Sequence, residues 1–157
     1  ASLAINESLI NFFKKIYGLI IGELMAERIK VALCSAVPVE QQRELEVRGR
    51  DATTGMPKAV MVKTNDLVEA VKPTLSQIIL SIRSVLEKTP PELSSDIVDT
   101  GIMLSGAGVL LENITTLFVR ALSIPVVICE DPEHATAYGL KKVIEDFDTY
   151  AYKGKMK

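Results

Sequence analysis

The chain has 157 residues, of which 48% are hydrophobic and 24% charged, and its formal net charge is −2. This composition is typical of a globular protein, and the length suits one domain or one lobe of a larger protein. The acidic balance gives no support for a nucleic-acid surface, so we expect no nucleic-acid partner. No apolar run reaches the ~18 residues of a membrane span, and no signal peptide is visible. Two distant cysteines and a single histidine indicate reduced thiols and no metal site.

Two amphipathic helices are predicted at the start of the chain. Apolar residues recur with helical spacing over residues 5–16, and Gly18 suits the end of that helix. A second helix is predicted over residues 22–35, where Glu27 and Lys30 lie three residues apart and share a face. The two side chains can form an ordinary surface ion pair or contact a ligand together. Because the first helix begins almost at once, we expect the chain to be part of a longer one.

A small β-hairpin followed by a long helix is predicted next. Residues 45–48 and 59–63 alternate apolar and polar side chains, as half-buried strands do, and turn-forming residues separate them. The following apolar stripe keeps a helical period to about residue 88, with Thr64 or Asn65 as its cap. Pro73 lies inside this stripe, where it is expected to kink the helix or delay its regular start.

The last third of the chain alternates helices with short apolar strands. Thr89 precedes two prolines and is predicted to cap the first of these helices. Strands that alternate with helices imply a parallel βαβ unit with helices on its faces. The predicted elements are helix 92–99, strand 102–104, helix 111–122, strand 126–129, helix 131–146 and a loosely ordered polar tail, 149–157.

A glycine-containing turn separates the first of these strands from the helix predicted after it, which begins near Leu110. Gly106 and Gly108 flank Ala107, and two glycines let a backbone bend sharply and let a ligand approach closely. A helix that follows such a turn presents unpaired N–H groups and the positive end of its dipole, which suits an anionic or strongly polar ligand. An ordinary strand-to-helix turn is the alternative, and a lone glycine pair does not decide between them.

Four runs of residues carry a resemblance to a known family: IGELMAERIK at 21–30, ELEVRGRDATTGMPKAV at 44–60, LEKTPPELSSDIVDTGIMLSGAGVLLEN at 86–113 and PVVICEDPEHATAYG at 125–139. Together they resemble the MreB family of bacterial actin homologues, including its Mbl-type members. The hairpin run and the diproline run are its most specific signals, and the resemblance extends over about residues 5–147. It implies an α/β fold: an actin-like (ribonuclease H-like) ATPase domain, of which this chain would be the second large domain only. Residues 1–36 and 89–157 would form a lower subdomain, and residues 37–88 an inserted upper subdomain of hairpin and helix.

The resemblance also implies a nucleotide site. Glu27 and Lys30 match a pair that lies against adenosine in actin-fold ATPases, and the turn from Gly106 to Val109 matches the adenosine motif. Ala107 stands where the family usually has glycine, and its Cβ narrows the closest approach of a ligand. The family binds ATP with magnesium between two domains, but its other phosphate loops, its catalytic glutamate and any metal ligands are absent here. We therefore expect this chain to be inactive as an ATPase on its own. The implied nucleotide-binding residues are Glu27, Lys30, Gly106, Ala107, Gly108 and Val109.

Two functions are compatible with these features. By resemblance, the chain would be part of a cytoskeletal subunit that binds ATP and polymerises into filaments governing cell shape. Its partners would be further copies of itself and the membrane-associated machinery of cell-wall synthesis. It would be located in the cytoplasm, in association with the membrane. The alternative is a nucleotide-independent module, divergent or truncated, that binds or caps filaments.

Overall fold

The computed structural model describes residues 2–147, so the predicted tail at 149–157 lies outside the described residues. This part of the chain contains six α-helices and five strands. The strands form a three-stranded antiparallel sheet and a two-stranded parallel sheet. The elements are α1 (Ser2–Tyr17), β1 (Leu19–Ile20), α2 (Glu23–Leu33), β2 (Glu44–Asp51), β3 (Pro57–Lys63), α3 (Thr64–Glu87), α4 (Pro91–Thr100), β4 (Ile102–Leu104), a 3₁₀ turn (Ala107–Leu110), α5 (Ile114–Leu122), β5 (Val126–Ile128) and α6 (Ala135–Glu145).

The predicted hairpin is confirmed, but it belongs to a larger sheet. β2 pairs with β3 along its length, and β1 pairs antiparallel with the far end of β2, joining Leu19 to Asp51. The sequence predicted only helices and one hairpin in this half of the chain, so β1 was missed. β1 has only two residues, too few to show the alternation that predicts a strand. Gly18, with φ of 58°, turns the chain from α1 directly into it.

α3 is confirmed, but neither residue predicted to cap it does so. The Lys63 N–H donates to the Asp66 carboxylate at 3.0 Å, so the cap comes from inside the first turn. Asn65 instead forms two hydrogen bonds with the backbone of Val39, at 2.9 and 3.0 Å, and fixes the loop after α2. Thr64 is fully buried. Pro73 does not delay the start of the helix, which begins at Thr64.

One hydrophobic core lies where α1, α2, α3 and α5 pack around the three-stranded sheet. Aliphatic side chains dominate it because the chain has no tryptophan and few other aromatic residues. Phe13 is its largest fully buried side chain, with its ring stacked on Tyr17 at a centroid distance of 5.5 Å. The fully buried side chains include Ile5, Leu9, Phe13, Leu19, Ile29, Leu33, Val47, Val62, Leu67, Val71 and Leu75, and Ile114 and Phe118 join from α5.

The parallel βαβ unit is also confirmed, since β4 pairs with β5 in parallel register and α5 lies between them in the chain. Two helices in this part of the chain, α5 and α6, begin later than predicted. α5 starts at Ile114 because Asn113 takes a left-handed φ of 61°, which no helix continues through. α6 starts at Ala135 because Asp131 takes a left-handed φ of 44° and residues 132–134 form a turn.

The helices that flank this unit are less buried than those of the core. Neither α4 nor α6 contains a buried residue among those described. α4 begins without a side-chain cap, and the Thr89 hydroxyl instead donates to the Val85 carbonyl at 2.9 Å at the end of α3. Within residues 2–147, no helix combines the length and hydropathy needed to cross a bilayer.

Candidate functional site

Glu27 and Lys30 form a close ion pair on α2, with 2.6 Å between the Lys30 Nζ and the Glu27 Oε2 atoms. The spacing of three residues on a helix places both on one face, as predicted. Their environments differ, because the Lys30 side chain is only 8% exposed whereas that of Glu27 is 47% exposed. Lys30 is therefore mostly withdrawn from solvent, and Glu27 is the more accessible member of the pair.

Two side chains of α1 complete the hydrogen bonds of this pair. The Asn6 Nδ2 group donates to the Glu27 Oε2 atom at 2.8 Å, and the Lys30 Nζ group donates to the Ser2 hydroxyl. The bonds from Lys30 and Asn6 lower the pKa of the Glu27 carboxyl below its usual value, with the Lys30 bond as the larger cause. Glu27 is consequently ionised at neutral pH.

The glycine turn has a different structure from the one predicted. Gly106 takes φ of 89°, which favours glycine, and its N–H donates to the Pro132 carbonyl at 2.7 Å, so this group is engaged within the protein. The turn then enters the 3₁₀ segment of four residues, Ala107–Leu110, instead of a long α-helix. The prediction that a helix dipole favours ligand binding at the turn is therefore wrong. Ala107 does not have a positive φ, which explains why a residue other than glycine is accommodated there.

The ion pair and the turn line one cavity of about 170 Å³. Glu27 and Lys30 line it from α2, and Ala107 and Gly108 line it from the glycine turn. The two remaining predicted residues, Gly106 and Val109, line a separate apolar cavity of about 410 Å³ that also touches Ala107 and Gly108. The structure thus brings four of the six predicted site residues together and places two in the neighbouring cavity.

Sequence reasoning did not select four other residues that line the smaller cavity: Val31, Leu110, Leu111 and Glu133. Val31 and Leu110 are exposed apolar side chains, at 75% and 56% of their surface, and they offer a flat apolar contact at its mouth. Glu133 adds a second carboxylate, so the formal charge of the lining is −1 after Lys30 neutralises Glu27. Such a lining suits a ligand group that donates hydrogen bonds better than it suits a phosphate.

A set of hydrogen bonds next to this cavity connects its two sides. The Ala36 N–H donates to the Glu112 carbonyl at 2.8 Å, and the Asn113 Nδ2 group donates to the fully buried Ser35 hydroxyl at 3.0 Å. Arg43 also pairs with the Glu112 carboxylate. These bonds join the end of α2 to the end of the 3₁₀ segment and so hold the two sides of the cavity at a set separation. Local sequence patterns do not reveal them, because the partners are about 70 to 80 residues apart.

Among residues 2–147, no three or more histidine, cysteine or acidic side chains are placed to hold a metal ion together. The residues that line the cavity include no serine, threonine, cysteine or histidine. The described arrangement can hold a small polar ligand.

Comparison with known proteins identifies the family. The sequence model of the family described as MreB/Mbl protein matches residues 1–152. The chain belongs to the MreB/Mbl family. It is 41% identical over 140 residues to the cell shape-determining protein Mbl of Bacillus cereus, covering 89% of this chain and 42% of Mbl. It is also 41% identical over 145 residues to the cell shape-determining protein MreB of Escherichia coli, covering 92% of this chain and 42% of MreB.

Solved structures confirm the actin-like α/β fold expected for an MreB/Mbl chain. A crystal structure of MreB5 of Spiroplasma citri bound to AMPPNP matches with a TM-score of 0.90 and 27% identity, covering 98% of this chain and 46% of MreB5. A second MreB5 structure, bound to ADP, has the same TM-score. The MamK double helical filament matches with a TM-score of 0.67 and 20% identity, over 85% of this chain and 41% of MamK, and supports the fold alone. The chain spans less than half the length of these MreB/Mbl relatives, and the division into lower and upper subdomains stays a prediction.

Proposed function

We propose that the chain is part of an MreB-like cytoskeletal subunit that binds ATP between two domains and polymerises into membrane-associated filaments governing cell shape. One observation carries the proposal: the Glu27–Lys30 pair and the Ala107–Gly108 turn, 77 or more residues apart in sequence, line the same cavity. The nucleotide-bound MreB5 structures, which match nearly the whole chain, support the choice of an adenine nucleotide as ligand.

The chemistry of the cavity suits the nucleoside end of ATP. An ionised carboxylate such as Glu27 accepts hydrogen bonds from sugar hydroxyls, and the exposed side chains of Val31 and Leu110 can pack against a purine ring. The backbone at Ala107 and Gly108 allows close approach from the opposite side. The formal charge of −1 in the lining indicates that the phosphates lie outside this cavity.

Nuclear magnetic resonance of the ¹⁵N-labelled chain tests nucleotide binding directly, because it detects weak complexes. ATP should shift the amide signals of Lys30, Ala107 and Gly108, and adenosine should shift the same signals. Glu27→Gln should weaken binding about tenfold, the usual effect of removing a charged hydrogen-bond partner. Glu23→Gln, at an exposed position of the same helix, should leave it unchanged. Absence of shifts around the cavity at millimolar ATP, or equal effects of the two substitutions, would contradict nucleotide binding here.

Polymerisation requires a second measurement. Sedimentation of the chain with and without ATP reports self-association, and sedimentation with vesicles of anionic lipid reports membrane association. Nucleotide-dependent pelleting supports the filament proposal. If the chain pellets equally with and without ATP, nucleotide does not control its assembly.

A nucleotide-independent module that binds or caps filaments is the second candidate. The exposed apolar side chains of α4, β4 and α6 favour it, since Val98 is 63%, Met103 69% and Ile144 75% exposed. Co-sedimentation with filaments of Escherichia coli MreB distinguishes the two candidates. The module would co-sediment equally when it carries Glu27→Gln and would be released by Met103→Asp, whereas the nucleotide-binding subunit would respond to Glu27→Gln.

A further inference from the structure

The two α1 side chains that contact the Glu27–Lys30 pair occupy equivalent positions on the helix. Ser2 and Asn6 are four residues apart, so their side chains project from the same face of α1 toward α2. Ser2 accepts a hydrogen bond from Lys30, and Asn6 donates one to Glu27. Each charge of the pair therefore has one neutral partner on α1.

Asn6 makes its bond to Glu27 at the cost of another. The residue is 5% exposed, and its Oδ1 atom is the only buried side-chain oxygen or nitrogen in the described residues without a hydrogen-bond partner. Reversing the amide would place this oxygen against the Glu27 carboxylate, and two acceptors repel each other. The interaction with Glu27 thus determines the orientation of the amide although one of its polar atoms remains unpaired. A leucine would fill a similar space without an unpaired oxygen, so the bond to Glu27, and not the packing of the side chain, accounts for the asparagine.

The bonds also distinguish the two members of the pair. Both donors meet Glu27 at its Oε2 atom, and the other oxygen, Oε1, has no partner among the described residues. Lys30 uses two of its three N–H donors on Ser2 and Glu27 and is almost completely buried. Glu27 can accept a hydrogen bond from a ligand, and Lys30 has little surface left to offer one.

We propose that Ser2 and Asn6 are positioning residues that hold the Glu27–Lys30 pair so that Glu27 offers its Oε1 atom to the cavity and Lys30 supports it from behind. No residue of α1 lines the cavity, but through these two bonds α1 determines the shape of one cavity wall. The importance of this arrangement for a nucleotide rests on the proposed function. The positioning of the pair itself does not.

Asn6→Leu tests the proposal through the titration of Glu27. The titration is followed by the ¹³C resonances of the glutamate carboxyl groups, and the Glu27 resonance is assigned by its loss in Glu27→Gln. Losing the Asn6 bond should raise the pKa of Glu27 toward its usual value while the chain remains folded. Lys30→Met should raise it further, because it removes the larger of the two stabilising bonds. Asn11→Leu, at an exposed position of the same helix, should change nothing. An unchanged Glu27 pKa in Asn6→Leu, or an equal change in Asn11→Leu, overturns the proposal.

A second substitution keeps the test valid if Asn6→Leu does not fold. Asn6→Ala removes the same bond without introducing a branched side chain, and the expected rise in the Glu27 pKa is the same. Ser2→Ala tests the other half of the arrangement: hydrogen exchange at the Lys30 ammonium should become severalfold faster. The exposed Lys14 and Lys15 provide internal controls. Unchanged exchange at Lys30 would remove Ser2 from the proposal.

Nucleotide binding is measured on the same variants to separate this inference from the proposed function. Asn6→Leu should weaken ATP binding by a smaller factor than Glu27→Gln does. If the unmodified chain binds no nucleotide but Asn6→Leu still raises the Glu27 pKa, the proposed function fails and the positioning stands. If ATP binds and the Glu27 pKa is unaffected by Asn6→Leu, the positioning fails and the proposed function stands.

Discussion

The first and last parts of this chain show the same amphipathic patterns but reach very different degrees of burial. In residues 2–75, here called the packed region, α1, α2 and the first half of α3 enclose a continuous apolar core with the three-stranded sheet. In residues 91–147, the open region, α4 and α6 bury no residue, and Met103 of β4 is 69% exposed. Periodicity predicts which face of an element is apolar, but only the tertiary structure determines whether that face is covered.

The parallel sheet makes the contrast clearest. Parallel strands are usually buried on both faces, and a sheet of two strands has little stability of its own. Here Val127 and Ile128 of β5 are 46% and 39% exposed, and α5 contributes its buried residues, Ile114 and Phe118, to the core of the packed region. The open region is therefore attached to the core mainly through α5. We expect its local stability to be lower than that of the packed region.

The reactivity of the two cysteine thiols should differ most between the regions, because each region contains one cysteine. Cys34 of the packed region is 2% exposed, and burial raises the pKa of its thiol to about 12, so about 10⁻⁴ of it is thiolate at pH 8. Cys129 of the open region is partly exposed. Reaction with Ellman's reagent should show one fast thiol and one slower by about a thousandfold or more. Cys129→Ser should abolish the fast phase, and Cys34→Ser the slow one. A fast reaction at Cys34 would show that the packed region opens readily.

A pair of phenylalanines tests the same contrast through global stability. Phe13 is fully buried in the core, and Phe13→Ala should lower the free energy of unfolding by about 3–5 kcal/mol through lost burial and the cavity left behind. Phe147, 63% exposed after α6, is the matched position in the open region, where the same change should cost less than about 0.5 kcal/mol. Urea denaturation measures both. Similar losses would mean that Phe147 is covered in solution, and repeating the measurement at two protein concentrations would reveal whether self-association covers it.

Two glycines test whether the regions unfold independently. Gly101 takes φ of 75° before β4, and an added Cβ would lie 2.3 Å from the Pro125 carbonyl oxygen. Gly101→Ala should lower the stability of the open region by about 1–3 kcal/mol or more, because the backbone must leave a conformation that alanine disfavours. Hydrogen exchange should then accelerate at the Ile102 and Cys129 amides, which link β4 to β5 and its neighbours. Amides that join β2 to β3 should keep their protection.

Gly49→Ala is the matched change in the packed region. Its Cβ would lie 2.4 Å from the Ile20 carbonyl oxygen, where β1 approaches β2. The substitution should expose the amides of the antiparallel sheet and accelerate exchange throughout the molecule, because the core depends on that sheet. If Gly101→Ala also accelerates exchange throughout, the two regions form one cooperative unit and the contrast in stability is wrong.

Much of this architecture was predictable because it depends on local patterns. The long apolar stripes predicted α1 and α3, and the alternation of helices with strands predicted the parallel pairing of β4 with β5. The spacing of Glu27 and Lys30 predicted that they share a helix face, and the structure shows them as an ion pair. Family resemblance added that this pair and the glycine turn would meet, and the structure places them around one cavity.

Most of the errors share a cause, which is dependence on distant residues. β1 is a strand only because β2 lies beside it, and Asn65 forms hydrogen bonds to a loop 26 residues away instead of capping α3. Ser2 and Asn6 carry no local sign of their contacts with α2. The start of α5 was misplaced because nothing in the apolar pattern indicates the left-handed conformation of Asn113.

Gly139 gives the smallest expected effect and the finest test of the open region. It lies inside α6, and an added Cβ would meet no atom within 4 Å. Gly139→Ala should stabilise α6 by about 1 kcal/mol, because alanine loses less backbone freedom than glycine on entering a helix. If α6 unfolds locally, hydrogen exchange of its amides should slow about fivefold while the free energy of global unfolding stays unchanged. An equal gain in global stability would instead show that α6 unfolds together with the core and belongs energetically to the packed region.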